Sequence, residues 1–229
     1  MSTPAPFLII AVDGGAASGK STVARALAER FHLLHADTGA YYRSVTFALL
    51  RAGVPPDEAQ AVEAALPQLS LETLVEGNAA RLAIAGAAPQ PGDLRSKEVT
   101  ERVSRFAALP AVRHFLLEFQ RGQAEVARGH GFAGLIMEGR DIGSAIFPQA
   151  DLKLFLTADP AIRAHRRAAE GVADAVAERD RLDATRESSP MTCPPGAKVI
   201  DSSHLSQEEV VAHLGLLVNE ARRTKSGPA

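Results

Sequence analysis

Short apolar runs alternate along the chain with longer stretches whose apolar residues recur at helical spacing. The runs lie at 7–12, 134–137, 152–156 and 198–200, and a segment at 33–35 supplies one more. They are short and rich in Leu, Ile and Val, which predicts buried strands. Helical periodicity covers 20–31, 40–51, 94–105, 112–128, 160–168 and 207–221. The last stretch opens with Ser206 as N-cap and Glu209 three residues on, the spacing of a capping box. Strands of this kind, each flanked by helices, predict an α/β fold with a parallel sheet covered on both faces.

Two segments break this rhythm. Residues 54–93 open with Pro55-Pro56, carry a modest helix over 57–66, then alternate over 69–75 and 80–85 about a turn at Glu76-Gly77-Asn78. That pattern predicts an inserted subdomain containing a small antiparallel β element. Residues 170–189 are polar, arginine-rich and helical by composition. The remainder, 1–53, 94–169 and 190–229, forms the expected core of a single domain, a natural size for 229 residues.

Composition narrows the classes. Hydrophobic content is 46% with aromatics at 5%, so the expected core is built from Ala, Leu and Val. A net charge of −2 and a pI near 6.4 create no global field for nucleic acid or acidic membranes. Cys193 stands alone and cannot form an internal disulfide, which fits a reducing compartment. No apolar run approaches the ~20 residues that span a bilayer, and the N-terminus lacks the basic start of a signal peptide. A cytoplasmic protein with no membrane and no nucleic-acid partner is expected.

Candidate chemistry begins where Gly14-Gly-Ala-Ala-Ser-Gly-Lys-Ser-Thr22 follows the first strand and opens the first helix. This is the phosphate-cradling spacing G-x-x-x-x-G-K-[ST] in its strand–loop–helix setting, so a P-loop NTPase-type sheet is expected. Gly14 and Gly19 permit positive φ and close approach to an anion. Successive N–H groups and the helix dipole point at polyphosphate. Lys20 reaches the β/γ-phosphates, and the Ser21 hydroxyl is placed to bind Mg²⁺. An ordinary glycine turn is the plain alternative, disfavoured by the strand before and the helix after.

Three further clusters could supply a second site. In Asp37-Thr-Gly-Ala-Tyr-Tyr-Arg43, Asp37 or Thr38 can cap a helix with Arg43 one turn in, a setting for a second anion. Glu138-Gly-Arg-Asp-Ile-Gly143 lies at the carboxyl end of a strand, where ligands of open α/β sheets bind. There Glu138 could orient water on Mg²⁺, Arg140 hold a phosphate and Asp141 accept from a base or sugar; an internal Arg140–Asp141 pair closing a tight turn is the alternative. In Arg179-Asp-Arg-Leu-Asp-Ala-Thr-Arg186, a helix would put Arg179, Asp183 and Arg186 on one face. A solvated salt-bridged face competes with arginines that neutralise two crowded polyphosphates.

Together with Leu94-Arg-Ser-Lys-Glu-Val99, these motifs stand in the order and spacing of bacterial cytidylate kinases, and the chain resembles that family from about residue 8 to 217. The resemblance implies a nucleoside monophosphate kinase that moves the ATP γ-phosphoryl to CMP or dCMP with Mg²⁺ as cofactor. It makes 54–93 the monophosphate-binding insertion and 170–189 a short helical lid. ATP would meet Gly14, Gly15, Ala16, Ala17, Ser18, Gly19, Lys20, Ser21 and Thr22, with Arg163 and Arg167 near the lid. CMP would meet Thr38, Tyr42, Arg43, Ser104, Arg113, Arg140, Asp141, Arg179, Asp183 and Arg186. Ser104, Arg113 and Asp141 match the family's cytosine readers: the serine and carboxylate accept from N4, while the Arg donates to O2 or N3. Uracil would face acceptor with acceptor, at about 1–3 kcal/mol.

Lys20, Arg140, Arg179 and Arg186 would carry catalysis by stabilising in-line transfer, with no general base needed because a phosphate oxygen attacks. A monomer is expected. Two departures stand out. The stretch from Arg167 to Arg179 is shorter than in many relatives, and Glu138 stands where the family often has Asp. Rival readings are a kinase for another small acceptor, such as UMP, AMP or a hydroxy acid, and a nucleotide switch or motor. The latter predicts N-K-x-D or D-x-x-G segments, which the chain lacks.

Overall fold

Alternation within the first strand sets the layers of the fold. The structure, a computed structural model, describes residues 6–169 and 176–227, with the side chains of all of these except 176–179. Its elements are β1 (Leu8–Gly14), α1 (Lys20–Phe31), β2 (Leu34–Asp37), α2 (Thr38–Arg51), α3 (Ala59–Ala65), β3 (Leu71–Glu76), β4 (Ala79–Ile84) and α4 (Pro91–Leu94). They continue with α5 (Lys97–Ala108), α6 (Pro110–Gly129), β5 (Gly134–Gly139), β6 (Leu152–Thr157), α7 (Pro160–Ala169), α8 (Val176–Ala184), β7 (Lys198–Asp201) and α9 (Gln207–Ser226).

β1 lies between β5 and β6 and pairs parallel with both. Its Leu8, Ile10 and Val12 pack on one side with Leu27, Leu214 and Val218 of α1 and α9. Ala11 turns the other way, into a cluster with Tyr41, Leu49, Phe106 and Leu116 of α2, α5 and α6. β5 divides the same way, with Ile136 on the first side and Leu135 and Met137 on the second. Strands buried on both faces by helices are what the apolar runs predicted.

The antiparallel element forms, with Leu71 opposite Ile84 and Glu76 opposite Ala79. It is not a separate sheet. β4 runs parallel to β2, His35 opposite Ala79 and Ala36 opposite Ala80, so the core sheet extends to the order β3-β4-β2-β5-β1-β6-β7. Asn78 in the turn fastens it: Nδ2 donates to the carbonyls of Ala28 (3.0 Å) and Leu33 (3.1 Å).

Two local expectations are corrected, and one unforeseen turn appears. The helix expected over 94–105 divides into α4 and α5, because the Ser96 hydroxyl accepts from the Val99 N–H and makes Ser96 an N-cap instead of an interior residue. The chain after β5 makes one π-helical turn, Ile142–Ile146, a geometry frequent at functional sites. α8 ends at Ala184, so Arg186 lies beyond the helix that was to carry it; residues 170–175 of the segment lie outside the described residues.

Candidate active site

The phosphate loop leaves β1 hard against β6. Gly14 has φ 146°, and a Cβ there would come within 2.1 Å of the Leu156 carbonyl oxygen, so only glycine fits. Gly19, at φ 88°, precedes α1, and Ala17 between them takes the left-handed φ of 56°. Lys20 is buried, its Nζ donating to Gly15 O at 2.6 Å and reaching Ser18 Oγ at 3.4 Å. Burial first, then the neighbouring Arg140 charge, push this amine down to about 7. The charges of Glu138, Asp13 and Asp180 act in the opposite direction.

At the carboxyl ends of β2 and β5, Asp37 caps α2, its Oδ1 accepting from Ala40 N (3.1 Å), and Thr38 Oγ1 donates to the Glu138 carbonyl (2.8 Å). Glu138 is buried. Its Oε2 accepts from Ser21 Oγ at 2.7 Å, and its Oε1 lies 2.8 Å from His35 Nε2. Burial would raise this carboxyl, but the His35 and Ser21 hydrogen bonds and the Lys20 charge outweigh it and hold it below the usual range. Asp37 next to it is raised by burial and by the Glu138 charge. Behind them Asp13, fully buried, accepts from Ile142 N (2.8 Å) and Gly143 N (2.7 Å), and so anchors the π-helical turn. Burial lifts Asp13 to about 6.

Arg140 does not close a turn on Asp141. Its Nε pairs with Asp183 Oδ2 of α8 at 2.9 Å, and Nη1 donates to Gly14 O at 2.9 Å. Arg186 approaches the other Asp183 oxygen at 3.6 Å, so one carboxylate restrains two arginines. Arg43 donates to Leu94 O (2.8 Å) and Thr100 Oγ1 (3.1 Å). Asp141 pairs with Arg113 through a short buried contact, and the Arg113 guanidinium lies 5.6 Å from the Tyr42 ring centroid. Ser104 sits one α5 turn from Ala107 and beside Val103.

Most of these side chains surround one cavity of about 570 Å³. Its walls include 16–22 of the phosphate loop, Thr38, Tyr42, Arg43, Ser104, Arg140, Asp141, Arg167, Asp183 and Arg186. Four expected residues stand off the wall. Gly14 and Gly15 do not line it, and Arg113 meets it through Asp141 and Tyr42. Arg163 is spent on carbonyls of Ala158 and Ala16 and on Asp180. The Arg179 side chain lies outside the described residues.

Other residues entered unannounced. Arg25, Arg81 and Arg95 line the same cavity, bringing more positive charge. Asp180 Oδ1 accepts from Ala16 N at 2.8 Å, setting a carboxylate on the phosphate loop. His35 could have been suspected, since period two puts it on the face of β2 that carries Asp37. Asp180 stood inside a motif already read, but nothing local to it pointed to a contact 164 residues away.

The cytidylate kinase family model matches residues 10–220. A cytidylate kinase of Mycobacterium leprae (strain Br4923) is 38% identical over 224 residues, 93% of this chain and 96% of that protein. A cytidylate kinase of Corynebacterium efficiens is 39% identical over 96% of this chain and 97% of its own. A bifunctional pantoate ligase/cytidylate kinase of Synechococcus sp. (strain JA-2-3B'a(2-13)) is 40% identical over 96% of this chain, which spans 42% of that protein. A phosphate loop facing arginines across one cavity, matched along almost the whole chain, leads to one assignment: the chain belongs to the cytidylate kinase family.

Proposed function

We propose that the protein transfers the γ-phosphoryl group of ATP to CMP or dCMP, giving CDP or dCDP and ADP. The observation that carries this reading is the shared cavity: the phosphate loop forms one wall, and Arg43, Arg140 and Arg186 with Ser104 and Asp141 form the other. Two polyanions meeting there would repel, and the chemistry needs only alignment and positive charge because the attacking phosphate oxygen is already ionised.

In this reading Lys20 and the backbone amides of 16–22 hold the triphosphate. Arg140, Arg179 and Arg186 neutralise the transferring group, and Arg43 with Tyr42 and Thr38 positions the acceptor phosphate. Asp141, held by Arg113, and Ser104 accept from the cytosine N4 amine, and Val103 and Ala107 supply the apolar wall beside them. Asp183 faces the ribose. Residues 54–93 serve as the monophosphate-binding insertion and 170–189 as the lid, which excludes water when both nucleotides are present.

The donor set suits Mg²⁺. The single Ser21 proton is committed to Glu138, which leaves the hydroxyl lone pairs for a cation. Among the described residues no group of three His, Cys, Asp or Glu side chains could hold an ion unaided, so phosphates and water would supply most of its ligands. When bound, the ion withdraws charge from the phosphates. No helix of the described residues is long and apolar enough to cross a membrane. The protein is proposed to work in the cytoplasm as a monomer, without nucleic acid.

The test is an acceptor panel with ATP and CMP, dCMP, UMP, AMP or GMP. CMP and dCMP should be turned over best. Preference for UMP or AMP would show that Ser104, Arg113 and Asp141 do not read cytosine.

A further inference from the structure

Glu138 is 2% exposed and spends one oxygen on Ser21 and the other on His35, itself 7% exposed. His35 is not among the residues that line the cavity. We propose that His35 is a positioning residue for the divalent-cation site: by donating from Nε2 to Glu138 Oε1, it holds the carboxylate where Oε2 can orient the Ser21 hydroxyl. The inference rests on the reading of Ser21 as a Mg²⁺ ligand.

The physical argument is one of competing partners. A glutamate turns about three side-chain bonds, and Glu138 has a second attraction nearby in the Lys20 ammonium, whose charge it feels. With His35 donating to Oε1, only Oε2 remains, and it meets Ser21 at 2.7 Å. Without that donor Oε1 would be a buried, unpartnered carboxylate oxygen, and the group would gain by turning toward Lys20. Ser21 would then lose its acceptor and its lone pairs their fixed direction. Groups that orient a ligating side chain in this way commonly change metal affinity ~10–100-fold when removed. His35 is itself well placed to hold still: its backbone N–H donates to Asn78 O at 2.6 Å, tying it to the hairpin turn.

The experiment compares wild type with His35→Phe, which removes the donor at similar volume, His35→Gln, which keeps an amide donor, and His35→Asn, too short to reach. Mn²⁺ is titrated into each protein with ADP present, and free Mn²⁺ is read by electron paramagnetic resonance; circular dichroism checks folding. His35→Phe should weaken Mn²⁺ binding at least tenfold and raise the Mg²⁺ needed for half-maximal rate by a similar factor. KM for CMP should stay within twofold, and His35→Gln should return Mn²⁺ affinity to within about threefold of wild type. Should His35→Phe fail to fold, the same contrast is read between Gln and Asn. Equal Mn²⁺ affinity in donor-keeping and donor-lacking variants overturns the proposal, as does a loss shared equally by KM for CMP. A wild-type protein that phosphorylates no monophosphate would instead overturn the parent reading, a result the Mn²⁺ titration does not share.

Discussion

At the scale of single residues, charge placement dominates. Arg186 is largely buried, which lowers its proton affinity, and its Nε has no hydrogen-bond partner among the described residues while Asp183 and Ser189 O hold the other nitrogens. Such a group is poised for a new acceptor. Arg186→Ala should therefore cut kcat by at least 100-fold while changing KM for CMP less than tenfold, measured by steady-state kinetics; a change in KM alone would make it a ground-state contact. Lys20→Ala should remove turnover by orders of magnitude with an unchanged circular dichroism spectrum. Asp13 gives a pH signature. Its folded-state pKa, about 6, lies above the ordinary 3.8, so the folded protein holds that proton more tightly than the unfolded chain. The resulting stability is fully present below pH 3.8 and is lost as pH rises through 6, by ~3 kcal/mol for a shift of this size. Urea unfolding of wild type and Asp13→Asn from pH 4 to 7 should show the wild type losing about that much relative to the variant. Lys20, Ser21, Arg140 and Asp183 were readable from spacing because their motifs carry their own chemistry. Asp180 was not, since it acquires meaning from a partner 164 residues away; for His35 the period of β2 offered a face but not its partner Glu138, 103 residues on.

At the scale of elements, periodicity revealed what is buried and left open which edge pairs with which. The alternation in 69–85 implied a hairpin, and β3 with β4 is one. Its attachment to β2 depends on Asn78 and on the Tyr41 hydroxyl, which donates to Ala80 O at 3.0 Å. No amphipathic pattern encodes such contacts. Asn78→Ala should cost about 1–3 kcal/mol by leaving the Ala28 and Leu33 carbonyls one donor short. Hydrogen exchange should quicken first in β4; uniform acceleration over the sheet would mean the turn is no local fastener. Two helix starts were legible from their own chemistry. α1 begins at Lys20 as expected, and α9 starts on the Ser206–Glu209 capping box, Glu209 N donating to Ser206 Oγ at 3.2 Å. The π-helical turn at 142–146 escaped notice because its anchor, Asp13, belongs to another strand.

Across the whole molecule, the phosphate loop and the segment after α7 are already joined. Asp180 accepts from Ala16 N and pairs with Arg163, while Asp183 on the same helix restrains Arg140 and Arg186. Asp180→Asn should weaken this link. We expect tighter ADP binding by calorimetry and faster tryptic cleavage of α8 in the nucleotide-free protein. Unchanged affinity together with unchanged cleavage would mean that the contact neither competes with phosphate nor restrains the helix.

The consequence reaches beyond one hydrogen bond. A carboxylate resting on the loop keeps the amide at Ala16 answered by a negative group. A triphosphate seated on this loop would have to replace one anion by another at that amide. The same helix holds both arginines through Asp183, so a change that lifts it off the loop should loosen all of these contacts together.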